Sequence, residues 1–313
     1  MVKIGAVNID TSHPKAFSGY FAKGGRARYT AVYNDGFRGA DEVEAFIRKN
    51  SLEKRCGSIE ELADCTDIGF IHSCNWDNHI TQALPFINKG KPVFIDKPVA
   101  GSMPDLRKLE ELAAGGAVIL GSSSLRYARE TAEFLDQPEE SRGRIVNVFS
   151  SAGVDEFNYG IHAVEALCGL LDGKALSCRF GGRGEVTGKL CETYVVNFDN
   201  GNTAIYNTFT PIWQPHVLVV TTVKSTFAMN VDTSNLYASM LDKVCDYMET
   251  GVNTLASVGK LAEAVKIMLA GRLSKENGGA AVNLRDIPGD YEGFDGKAFE
   301  KEYAGAASKI YLE

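Results

Sequence analysis

The chain has 313 residues, 44% of them hydrophobic and 23% charged, with a formal net charge of −7. That length accommodates two domains, each with its own core. The acidic balance (pI about 5.4) and the lack of any Lys/Arg block exclude a nucleic-acid footprint. No apolar run approaches the ~20 residues of a membrane helix.

The N-terminus, Met1 to Val7, has no cationic region followed by a long apolar core and a cleavage site. It does not read as a signal peptide, so a cytoplasmic location is expected. The seven cysteines are scattered and odd in number, without a C-x-x-C pair. They read as reduced thiols, and neither a metal site nor a disulfide framework is expected.

Val2–Val7 reads as a first, central strand. Asn8-Ile9-Asp10-Thr11-Ser12-His13-Pro14 follows, then a helix to about Lys23. Asp10, Thr11 and Ser12 just ahead of Pro14 make a helix N-terminus signal. A strand, a loop and a helix N-terminus form the usual cradle for a phosphate. The loop lacks the glycines of a dinucleotide fingerprint, so it reads equally as a plain capped turn. Tyr29–Tyr33 is a second strand, and Asp35 beyond it can bond a ribose 2′-hydroxyl, favouring NAD over NADP. Asp35 also suits a turn before Gly36, and nearby Arg38 suits a 2′-phosphate.

Helices are expected at about Asp41–Lys49 and Ile59–Ala63, then a buried strand at Asp67–Cys74 and a helix to about Asn88. Pro92–Ile95 is a buried strand running into Asp96-Lys97-Pro98. An amine at the carboxyl end of such a strand sits at the mouth of the ligand crevice, where partial desolvation suits a proton carrier; alone it reads as a surface lysine. A helix at Pro104–Ala114 and a strand at Ala117–Leu120 complete an alternating pattern, which predicts a doubly wound parallel sheet. Gly121–Ser124 is the crossing into a second domain, giving units 1–124 and 125–313.

In the second half, a helical piece near Tyr127–Leu135 and a strand at Ile145–Ser150 lead to Asn158-Tyr159-Gly160-Ile161-His162. On a helix, Asn158, His162 and Glu165 share one face. His162 there suits a site, or a satisfied histidine at a domain boundary. Residues 175–228 read as strands and turns, with a hairpin at Asn200-Gly201-Asn202. An antiparallel sheet follows, with helices at about Leu236–Thr250 and Val258–Leu273. The tail after Asn283 is expected to wrap the surface.

These residues together resemble the Gfo/Idh/MocA oxidoreductases, a family with a Rossmann domain followed by an α/β domain built on an open, mostly antiparallel sheet. Its Glu-Lys-Pro motif is similar to Asp96-Lys97-Pro98. Its Asp-x-Gly-x-His motif is similar to Asn158-Tyr159-Gly160-Ile161-His162. Its strand-to-helix Asn and His match Asn75 and His79. The resemblance implies that Lys97 binds or deprotonates a substrate hydroxyl and that His162 assists. It implies cofactor contacts at Asn8, Asp10, Thr11, Ser12, Asp35, Asn75, His79 and Asp96. Substrate contacts are expected at Lys97, Arg126, Asn158, Tyr159 and His162.

The expected function is NAD(P)-dependent hydride transfer on a sugar, cyclitol or related polyol, with NAD as cofactor or NADP in its place. A homo-oligomer is expected through the C-terminal sheet. Two departures keep alternatives open: the glycine fingerprint is missing, and the motif's aspartate is Asn158. The alternatives are a cofactor-free binding or regulatory protein on this fold, and an enzyme that retains NAD for net non-redox chemistry.

Overall fold

The computed structural model describes residues 1–121 and 123–312, so Ser122 of the expected crossing lies outside the described residues. The first half alternates strand and helix: β1 (Val2–Val7), α1 (His13–Gly24), β2 (Ala27–Tyr33), α2 (Ala40–Asn50), β3 (Lys54–Arg55), α3 (Ile59–Cys65), β4 (Ile68–Ile71), α4 (His79–Ile87), β5 (Val93–Ile95), α5 (Met103–Ala114) and β6 (Ile119–Gly121). The strands form one parallel sheet in the order β3-β2-β1-β4-β5-β6. This is the doubly wound order, and its topological switch lies between β1 and β4. β4 and β5 are wholly buried, as expected of strands covered by helices on both faces.

Local chemistry sets the boundaries. Pro14 sits in the first turn of α1, and Gly25 ends the helix in the left-handed region at φ 65°. Ser102 caps α5 by accepting from the Asp105 N–H.

The second half follows a 3₁₀ turn at Ser124–Tyr127: α6 (Arg129–Leu135), α7 (Glu139–Arg142), β7 (Ile145–Gly153), α8 (Gly160–Leu170), β8 (Ala175–Val186), β9 (Lys189–Phe198), β10 (Thr203–Thr210), β11 (Val217–Thr222), β12 (Thr226–Asn230), α9 (Ala238–Thr250), α10 (Val258–Glu276), β13 (Val282–Asn283) and α11 (Gly296–Ala306). The strands make a seven-stranded sheet, β12-β11-β7-β10-β9-β8-β13. Its pairings are antiparallel except β10 with β7. The Asn200-Gly201 hairpin turns β9 into β10, with Gly201 at φ 84°. α8 packs on β7 and β10 and against α10, and ten of its eleven residues are buried.

Two expectations change. α8 starts at Gly160, so Asn158 and Tyr159 belong to the turn before it and do not share a helix face with His162. That turn is built by Asp155, whose Oδ1 accepts from the Phe157 and Tyr159 N–H groups at 3.0 Å each. The tail does more than wrap the surface: it folds α11 and then crosses the carboxyl edge of the first sheet.

Candidate active site

Asp96 leaves β5 as the hub of the site. Its carboxylate accepts from the Lys97 N–H (2.8 Å), from His72 Nδ1 (3.0 Å) and from His13 Nδ1 (2.7 Å to Oδ2). Burial alone would raise its pKa. The two imidazoles and their hydrogen bonds more than reverse this and hold it well below the ordinary carboxylate range. An ionised Asp96 accepts only, so each histidine donates from Nδ1. His72 then accepts from the Tyr29 hydroxyl at Nε2, 2.8 Å away. His13 is stacked on Phe17 and edge-on to Tyr237, and its Nε2 is left for other work.

Lys97 reaches from the first sheet to the second half of the chain. Its Nζ donates to the Asn158 carbonyl (2.9 Å) and to Asn158 Oδ1 (3.0 Å), and it lies 5.0 Å from the Tyr159 ring centroid. Burial lowers its pKa, and the charges of Asp96 and Asp155 oppose that shift. His162, on the first turn of α8, is bonded through Nδ1 to Ser123 Oγ at 2.6 Å. Burial first, then the charges of Lys97, His216 and His13, push its pKa well below the ordinary imidazole value. It is therefore neutral near pH 7, and the Ser123 bond leaves Nε2 as the second ring nitrogen. His216 stands with its ring 5.7 Å from that of His162, and its buried Nδ1 has no hydrogen-bond partner. Lys97 thus meets Asn158 and Tyr159 and follows Asp96, and His162 stands near enough to feel its charge. A groove of about 780 Å³, walled by Asn158, Trp76, Phe157, Phe294 and Phe299, runs beside them.

Arg126 stands apart. Its guanidinium is buried against Glu165 (2.5 Å) and the Cys168 carbonyl (3.2 Å), at the wall of a separate cavity of about 490 Å³. His79 is held between the Ser73 carbonyl (2.9 Å) and the Val99 carbonyl (3.4 Å) inside the core. His13, His72, Tyr237 and His216 were missed by sequence reasoning. His13 carried the one available signal: a histidine at a helix N-terminus, on the loop expected to face the crevice.

The loop after β1 has an unusual architecture. Asn8 takes the left-handed conformation, φ 62°, that a glycine would otherwise supply. Its buried side chain donates to Ser73 Oγ (2.8 Å) and accepts from the Asp35 N–H (2.8 Å) and the Gly36 N–H (3.1 Å). Asp10 turns inward: Oδ2 accepts from the Cys74 N–H at 3.1 Å. Any side chain at Gly36 would come within 2.1 Å of the Asp10 carboxylate. Burial chiefly, with some repulsion from Glu300, raises the Asp10 pKa to about 7, against the Cys74 hydrogen bond.

The C-terminal segment lies over this loop. Tyr311 Oη donates to the Thr11 carbonyl (2.7 Å), and Lys15 Nζ donates to the Ile310 carbonyl (2.5 Å). Arg38 donates to the carbonyls of Asp10 (2.8 Å) and Ser308 (2.6 Å) and pairs with Glu42. Glu300 accepts from Asn75 Nδ2 at 3.2 Å, and its carboxylate lies within 4.8 Å of ligand atoms of Asp10 and Cys74. Asp35 and Ser12 stay exposed.

A dinucleotide spans the end of β2, the N-terminus of α1 and the end of β4. Here α11 and the residues after it occupy that path, with Glu300 a negative charge along it.

No family model matches the chain. Two curated relatives match over part of it: the 1,5-anhydro-D-fructose reductase of Ensifer adhaerens and the scyllo-inositol 2-dehydrogenase (NADP(+)) of Bacillus subtilis (strain 168). The first is 30% identical over 105 residues, 33% of this chain and 32% of the relative. The second is 32% identical over 93 residues, 29% and 27%. The chain therefore spans about a third of the length of the curated relatives it matches. Solved structures match throughout. The scyllo-inositol dehydrogenase from Lactobacillus casei with bound NAD(H) and scyllo-inositol superposes with a TM-score of 0.76 at 12% identity, over 91% of this chain and 100% of that one. The fold is that of the Gfo/Idh/MocA oxidoreductases. An oxidoreductase from Thermotoga maritima gives a TM-score of 0.74 at 15% identity, over 92% and 99%. Among the described residues no helix is long and apolar enough to cross a membrane.

Proposed function

We propose that the chain is an oxidoreductase acting on a CH–OH group of a sugar, cyclitol or related polyol, with Lys97 and His162 handling the hydroxyl proton. The observation that carries this is the approach of Lys97, just beyond β5, to α8: it bonds Asn158 in the turn before that helix, and its charge is felt at the ring of His162, which Ser123 holds. A carbinol is oxidised as its hydroxyl proton leaves, and positioned acid–base groups supply about 10²–10⁴-fold in rate. Burial lowers the lysine pKa, which makes its amine a better acceptor at neutral pH. The neutral imidazole of His162 can pass the proton onward. Asn158 offers Lys97 two oxygens, and a substrate hydroxyl can replace them.

The hydride acceptor in this reading is a nicotinamide dinucleotide, with NAD favoured over NADP. Asp35 is exposed at the end of β2, whereas Arg38, the group suited to a 2′-phosphate, is buried and bonded to Asp10, Glu42 and Ser308. The relatives' names support the substrate class. In this reading copies of the chain associate through the second sheet. The test is to incubate the protein with NAD or NADP and a panel of inositols, aldoses and 1,5-anhydro sugars, following absorbance at 340 nm. Substrate-dependent reduction of NAD supports the reading, and none across the panel with either cofactor refutes it.

The closed nucleotide crevice favours a second reading, a cofactor-free binding protein. Its signature is saturable sugar binding by calorimetry with no dinucleotide present and none needed.

A further inference from the structure

We propose that residues 296–312 are a built-in plug of the nucleotide crevice, which a dinucleotide must displace in order to bind. The proposal rests on the oxidoreductase reading only in naming the incoming ligand.

The plug touches the fold at each place where a dinucleotide is normally read. Tyr311 and Ile310 sit at the N-terminal turn of α1, through Thr11 and Lys15. Ser308 and Lys309 sit beyond β2, through Arg38 and Asp41. Glu300 sits beyond β4, through Asn75. Tyr303 stacks edge-on to Phe37 in the loop after β2, and Tyr311 does so to Phe46 in α2. These contacts and a bound dinucleotide are mutually exclusive.

The plug is held lightly. Gly296 is the one buried residue of α11, and Tyr311 is the one buried residue of the described chain beyond it. α8, by contrast, has a single residue that is not buried. An element with so little buried apolar surface opens at low free-energy cost, the property expected of a lid.

The plug also has a fixed base. Phe294 is stacked on Phe157, with centroids 3.9 Å apart, donates to the Gly101 carbonyl (3.0 Å) and accepts from Trp76 Nε1 (2.7 Å). Asp77 accepts from the Gly296 and Lys297 N–H groups at 3.2 and 3.1 Å. The rest of α11 and the residues after it can therefore leave the crevice while Phe294 remains seated.

The test is titration with NADH alone, without any substrate, of the full-length wild type, Tyr311→Ala and Lys309→Ala. Tyr311→Ala removes the buried anchor. Lys309→Ala breaks a surface pair with Asp41 in which the lysine is 67% exposed, so it leaves the core intact. Opening the plug raises the binding-competent fraction, so Tyr311→Ala is expected to bind NADH at least about tenfold more tightly, and Lys309→Ala about twofold. Equal dissociation constants for all three proteins would overturn the plug and leave the oxidoreductase reading standing. Failure of all three to bind at millimolar NADH would overturn both, because the loop after β1 would then exclude the nucleotide by itself.

Discussion

The two halves of one sheet edge differ sharply. Over β4 and β5 the edge is lined by titratable side chains: His72, Asp96, Lys97 and, from the second half of the chain, His162. Over β1 and β2 the same edge is covered by the chain itself. The strands on both sides pair in parallel, without interruption between β4 and β5 and with one irregularity between Ile4 and Gly5 where β1 meets β2. The larger difference lies in the residues that leave the sheet. β5 exits through Asp96-Lys97-Pro98, which sends an acid inward to two histidines and an amine outward. β1 exits through Asn8-Ile9-Asp10, whose polar side chains both turn inward, to Ser73, Gly36 and Cys74. Glycines there would leave a concave backbone for phosphates. Asn and Asp fill that space, and Tyr311 and Glu300 close over it. A fold can thus keep one end of an active-site crevice and rework the other.

The sharpest break of this comparison is Lys97→Met. It is expected to lower kcat at least about 10²-fold while NADH affinity changes little, because the lysine belongs to the proton end alone. Steady-state kinetics with the best substrate of the panel, beside an NADH titration, checks both halves. A large loss of NADH affinity would merge the two ends into one.

How much of this was legible in the sequence follows the same division. The parallel sheet, its Asp-Lys-Pro exit and the antiparallel second sheet could be read from apolar runs ending in turn residues and from the Asn200-Gly201 hairpin. Lys97 was legible because a strand-end lysine before a proline is a local pattern. His162 was legible only beside the motif it resembles, and the helix expected from Asn158 starts two residues later, at Gly160, because the Asp155 turn leaves no periodicity signal. Arg126 looked available, yet its buried partner Glu165 lies 39 residues away. The pairing of Asp96 with His13 spans 83 residues, and that of Thr11 with Tyr311 spans 300. Contacts of that kind are set by tertiary packing, so propensity and spacing do not reveal them.

A smaller effect is expected at His13. Its bond to Asp96 joins the loop after β1 to the proton end, so His13→Gln probes the seam between the two halves. The expected result is a fall in kcat of about tenfold with NADH affinity little changed. An unchanged kcat would assign His13 to packing on Phe17 and Tyr237.

The smallest effect concerns stability on the closed side. Asp10 has its pKa raised from 3.8 to about 7 by burial. A carboxyl with a raised folded-state pKa favours the fold fully below its unfolded pKa and loses that contribution as pH rises through the folded value. Asp10→Asn, which cannot ionise, is therefore expected to be more stable than wild type at pH 8, with the difference fading as pH falls below 4. Thermal melts across that range decide it. A variant less stable at pH 8 would mean that the carboxylate is satisfied where it lies.

Hydrogen exchange followed by mass spectrometry, with and without NADH, reads the opening of the plug directly. Amides of residues 297–312 are expected to exchange far faster than those of α8 in the free protein. NADH is expected to speed 297–312 further while slowing the loop from Asn8 to His13, as nucleotide replaces plug. Exchange across 297–312 as slow as in α8, unchanged at saturating NADH, would contradict it.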